Sequence, residues 1–96
     1  MIVHEAARAG WQASPGALAK AWRVADFGQA MRLANALAAL AERLNHHPEL
    51  RIGWGRVEVR WTSHDTGGVT ARDAEAAQAS DRLAAELGAQ PAAPAA

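Results

Sequence analysis

The chain has 96 residues, no cysteine, and ten basic against ten acidic side chains, so its net charge is zero with histidine neutral. That length holds one domain with one core, and the missing thiols exclude disulfide scaffolds, cysteine zinc sites and thiol catalysis. The balanced charge supplies no basic surplus for nucleic acid or anionic lipid. No apolar run approaches the ~20 residues that span a bilayer, and Met1 to Gly10 lacks the charged-then-apolar pattern of a signal peptide, so a cytoplasmic protein is expected. Much of the apolar half is alanine. That implies close helix packing, a thin core and a tendency to complete burial by self-association.

Met1 to Ala9 reads as a short helix or an arm. Gly10-Trp11-Gln12 starts a strand, and Ser14-Pro15-Gly16 is a turn. Ala17 to Ala25 reads as a second strand through Leu18 and Trp22, although alanine and lysine are poor strand formers. Asp26-Phe27-Gly28-Gln29 has the form of a capping box. Behind it, Phe27, Ala30, Met31, Ala34, Leu37, Ala38, Ala41 and Leu44 repeat at helical spacing, widened by Leu33 and Leu40. A helix from Asp26 to about Asn45 would be about 30 Å long at 1.5 Å per residue.

Leu50, Ile52 and Trp54 then alternate with Arg51 and Gly53, and Val57, Val59 and Trp61 with Glu58, Arg60 and Thr62. Each is a strand with one buried face. Gly55-Arg56 between them predicts a type II′ hairpin turn with glycine first. Trp22, Trp54 and Trp61 are expected in the core or an interface. Thr70 caps a second helix with Asp73 in its first turn. Ala74, Ala77, Leu83, Ala84 and Leu87 form its stripe, and Gly88 ends it. Residues 89–96, with two prolines among alanines, are expected to be a flexible tail. The order predicts an α+β domain spanning 1–96: a four-stranded antiparallel sheet with helices on one face. Its open sheet edges favour extension across a dimer.

Three of the four histidines fall on segment ends. His46-His47-Pro48 closes the long helix, since proline cannot continue it. His64 follows the hairpin, on the strand face opposite the valines. Imidazole is the side chain best suited to moving protons near neutral pH, so a cleft where these three meet is the expected site of chemistry. The bland alternative is a histidine pair capping a helix C-terminus. Zinc is disfavoured, because adjacent histidines rarely aim at one ion and no ligand spacing is recognisable. Nothing ties His4 to the site.

Glu42-Arg43-Leu44-Asn45-His46-His47-Pro48, then Val57 to His64, then Gly67-Gly68-Val69-Thr70-Ala71-Arg72-Asp73, together resemble the signature of the pterin-4a-carbinolamine dehydratases. Trp11 and the Asp26-Phe27 helix start match the same layout. The likeness covers about Gly10 to Leu87.

The resemblance implies helices on one side of a four-stranded sheet, and assembly as a homodimer or homotetramer. It implies loss of water from a 4a-hydroxytetrahydropterin, with no metal or organic cofactor. His46, His47 and His64 would be the catalytic groups. Glu42, which could orient His46, would help bind the reduced pterin, with Pro48, Ser63, Asp65, Thr66, Trp11 and Asp73. Asp73 is first a helix-start residue, and Trp11 a candidate wall for the pterin. Asn45 stands where the family often has an acidic residue. The alternative is a catalytically silent relative that dimerises or assembles a protein partner.

Overall fold

The computed structural model describes residues 2–63 and 68–92. A first helix, α1 (Ile2–Arg8), leads into a hairpin of β1 (Gln12–Ser14) and β2 (Ala17–Arg23). The long helix α2 (Phe27–Leu44) follows, then a second hairpin of β3 (Glu49–Gly53) and β4 (Arg56–Thr62). Helix α3 (Ala71–Glu86) and a short strand β5 (Gln90–Ala92) complete the order. The antiparallel sheet runs β1-β2-β4-β3, with β5 also against β2. The α+β expectation therefore holds, with a fifth strand added. Among the described residues no helix is long and apolar enough to cross a membrane.

The register explains which face is buried. Leu18 lies opposite Trp61, Lys20 opposite Val59 and Trp22 opposite Val57. Leu50 and Ile52 extend those rows on β3. This face meets the helices, and Leu18, Val57, Val59 and Trp61 on it are completely buried. From α2 the core takes Ala30, Leu33, Leu37, Leu40 and Ala41. Phe27, expected in that stripe, is half exposed. Leu33 and Leu40, which only widened the stripe in the sequence, are at its centre.

Both hairpins use the same loop. Ser14 pairs with Ala17 and Gly53 with Arg56, leaving Pro15-Gly16 and Trp54-Gly55 as two-residue connections. Gly16 (φ 81°) and Gly55 (φ 73°) hold the second position in the left-handed region. That is not the expected type II′ turn, which needs positive φ first. The β3–β4 turn thus lies one residue earlier than predicted. Trp54 falls in the loop and is 75% exposed, not in the core. The Val24 N–H donates to the Gly55 carbonyl at 2.9 Å, which ties this loop to the end of β2.

Two further expectations change. The buried stripe of α3 is Asp73, Ala76, Ala77, Ser80 and Ala84, so the helix is rotated from the predicted face and carries two polar residues inward. Gln90–Ala92, expected in the tail, pair with Ala21–Arg23 of β2. Strand β1 covers only Ala17–Ala19, so the rest of that edge is open to β5. Pro91 is tolerated there because an outer strand can spare an N–H.

Candidate active site

The end of α2 aims the first histidine. Asn45 adopts the left-handed conformation (φ 49°, ψ 45°). Its N–H bonds the Glu42 carbonyl at 3.3 Å, and the His46 N–H bonds the Ala41 carbonyl at 3.1 Å. These are the paired bonds of a Schellman stop, in which asparagine is the usual substitute for glycine. Asn45 therefore serves the backbone turn that directs His46 back over the sheet.

Arg72 secures the same turn from outside. Its guanidinium donates to the Leu44 carbonyl (3.2 Å) and the Asn45 carbonyl (2.6 Å). Those carbonyls belong to the helix end that lacks internal partners and carries negative partial charge. The sequence alone does not assign Arg72 this role. The available signal was a cation in the first turn of α3, where the dipole of its own helix disfavours it.

Asp73 is the centre of the site. It is completely buried on the first turn of α3. One oxygen, Oδ1, lies 2.6 Å from His46 Nε2. The other, Oδ2, accepts from the Ser63 hydroxyl at 2.6 Å and from the Thr70 N–H at 2.9 Å. Ser63 lies just past β4, so three elements converge on one carboxylate. Burial pushes the Asp73 carboxyl up, but bonds from Ser63, Thr70 and His46 outweigh it and hold the group below its ordinary value. The carboxylate is thus ionised at neutral pH and can only accept. It follows that His46 Nε2 carries a hydrogen and donates it. The His46 side chain is only 10% exposed, and a hollow of about 190 Å³ beside it is lined by Leu44, His46, Arg72 and Glu75.

His47 points elsewhere. Its side chain is 59% exposed and its Nε2 bonds Glu42. Glu42 therefore partners His47, not His46 as expected. The chain leaves the helical path at Asn45, so the residue four positions on is no longer the one above Glu42. Pro48 is half-buried, leading into β3. Trp11 does not join this group. It is buried edge-on against Trp22, with ring centroids 5.8 Å apart, and its Nε1–H donates to Asp81 at 2.8 Å, two turns along α3 from Asp73. His64, Asp65 and Thr66 lie outside the described residues.

The stretch of chain that carries these groups falls within the match to one family model. Residues 2–83 fit the model of the pterin 4 alpha carbinolamine dehydratases. The chain belongs to this family.

Individual relatives agree with the assignment. A dehydratase-family protein of Rhodopseudomonas palustris (strain BisB18), provisionally named a pterin-4-alpha-carbinolamine dehydratase, is 44% identical over 80 residues, covering 81% of this chain and 79% of its own. A protein of Natronomonas pharaonis with the same provisional name is 38% identical over 76 residues, 79% of this chain and 83% of its own. The crystal structure of a transcriptional coactivator/pterin dehydratase from Brucella melitensis superposes with a TM-score of 0.77 at 34% identity, over 85% of this chain and 92% of that one. A pterin dehydratase-like protein described as a RuBisCO assembly factor in the alpha-carboxysome gives 0.64 at 25% identity, over 77% and 86%.

Proposed function

We propose that this protein removes water from a 4a-hydroxytetrahydropterin to give the quinonoid dihydropterin, with His46, His47 and His64 moving the protons. The observation that carries this reading is the His46–Asp73 pair, built by three elements within the region matched by the family model. In the reaction the C4a–O bond breaks and the leaving hydroxyl takes up a proton to depart as water. The N5 lone pair forms the new C4a=N5 bond, and N5 loses its hydrogen. One acid and one base are therefore useful, each giving about 10²–10⁴-fold. With Nε2 of His46 committed to Asp73, its Nδ1 is the nitrogen available to the pterin. His47, tethered by Glu42, and His64 supply the complementary transfer. Ser63 and Asp73 act by holding His46, and Trp11 packs apart from that pair, bonded to Asp81.

A second reading, a binding module for a protein partner, is favoured by the large apolar side chains left outside. Trp54 is 75% exposed, Phe27 50% and Ile52 39%, and the Val24–Gly55 bond places the Trp54 loop next to the start of α2. The assembly-factor relative has this fold. The free edge of β3 beside these residues is the proposed route to a homodimer by sheet extension.

The test is turnover of a synthetic carbinolamine. The purified protein is expected to speed its dehydration, and His46→Ala or His64→Ala to lose most of that rate while still folded. A rate no higher than buffer would rule out the dehydratase and leave the binding module.

A further inference from the structure

The His46 ring is held at its edge by Asp73 and across its face by Trp61. The imidazole and indole centroids are 5.6 Å apart and their planes differ by 19°. Trp61 is completely buried, and its Nε1–H donates to Ser80 Oγ at 3.0 Å. The Ser80 hydroxyl donates in turn to the Ala76 carbonyl at 2.7 Å. Ser80, also completely buried, lies seven residues after Asp73, two turns further along the same face of α3. The two polar residues in the buried stripe of α3 thus grip two different rings: Asp73 the imidazole and Ser80 the indole stacked on it.

A bond at Nε2 alone leaves an imidazole free to rock about the line of that bond. A flat neighbour across its face removes this freedom, provided the neighbour is itself fixed. The Ser80 bond fixes it, because the indole N–H is buried and rotation would leave it unpaired. We propose that Trp61 and Ser80 form a positioning pair that sets the plane of the His46 ring and so presents Nδ1 to the substrate. The presentation to substrate rests on the dehydratase reading; the fixing of the ring does not. Neither residue touches the reacting atoms. Trp61→Phe keeps a face for stacking and gives up the N–H, whereas Trp61→Leu gives up the face.

The experiment compares Trp61→Phe, Trp61→Leu and Ser80→Ala with the parent by two readouts. One is the NMR shift of the carbon-bound protons of the His46 ring, which a stacked indole displaces. The other is kcat and KM for the carbinolamine. Trp61→Phe, which keeps a face for stacking but not the bond to Ser80, is expected to lower kcat less than Trp61→Leu does. Trp61→Leu is expected to lower kcat about tenfold to a hundredfold, with KM little changed, since misplacement of a reacting group acts on the chemical step. Its His46 ring protons should lose their displacement. Equal kcat in the Phe and Leu variants, or His46 shifts unchanged in Leu, would overturn the proposal. Should Trp61→Leu not fold, Ser80→Ala decides by the same NMR readout: His46 shifts that move support the pair, and shifts identical to the parent overturn it. If the parent shows no turnover, the dehydratase reading falls while the spectroscopic test of the ring still stands.

Discussion

Helix α3 carries two aspartates toward the sheet, and they differ in what they hold. Asp81 accepts from Lys20 Nζ at 2.7 Å and from Trp11 Nε1 at 2.8 Å. Lys20 is 7% exposed and also donates to the Ala9 carbonyl at 2.6 Å, so this cluster ties α1, β2 and α3 together. Asp73 accepts from Ser63, Thr70 and His46. One aspartate thus ties separate segments of the chain together, and the other holds an imidazole at the end of α2. On the dehydratase reading the first is a structural joint and the second serves the chemistry.

Replacing each aspartate should separate the two roles. Asp73→Ala is expected to cut carbinolamine turnover about a hundredfold, because His46 loses the group that fixes its tautomer and orientation. Asp81→Ala removes the carboxylate from a part-buried pair while Lys20 keeps its bond to Ala9, and is expected to cost about 1–3 kcal/mol in urea denaturation, with turnover per folded molecule unchanged. Equal turnover in the two variants would erase the distinction.

Acid should expose the Asp73 end next. The folded carboxyl sits below its ordinary value, so the unfolded chain binds more protons in that window. Stability from Asp73 is then present at neutral pH and is lost as pH falls below about 4, through the folded value. Asp73→Asn should flatten that part of the acid-unfolding curve, followed by circular dichroism; an unchanged slope would mean the carboxylate contributes nothing there.

The long helix and the hairpin of β3 and β4 were legible because their signals are local. Asp26 caps, Pro48 bars continuation, and valines alternate. The stripe of α3 was not, since Asp73 and Ser80 look like surface residues until Ser63, His46 and Trp61 arrive from other elements to satisfy them. For the same reason Glu42 was paired with the wrong histidine: helical spacing counts past Asn45, but the chain does not. Strand β5 exists because short β1 leaves part of the β2 edge open, which no reading of Gln90–Ala92 alone reveals. The position of the histidine pair follows from the sequence and the resemblance names Ser63 and Asp73, but that these two hold His46 is visible only in the fold.

Smaller effects sharpen the geometry around His46. Arg72→Gln removes the clamp on the Leu44 and Asn45 carbonyls and is expected to lower turnover about tenfold, less than loss of Asp73, with the thermal midpoint nearly unchanged. A drop equal to that of Asp73→Ala would instead give Arg72 a direct part in the reaction. At Asn45, alanine in the left-handed turn is expected to cost about 1 kcal/mol by denaturant titration and glycine almost nothing. If glycine were as harmful as alanine, the side chain of Asn45 would matter beyond the turn.

The most direct measurement is a crystal structure of the protein soaked with a stable reduced pterin. The bicyclic ring is expected beside the end of α2, with the His46 and His64 imidazoles both within hydrogen-bond reach, about 3 Å, of its polar atoms. A pterin seated elsewhere, or contacted by only one of these two imidazoles, would contradict the assignment of the site.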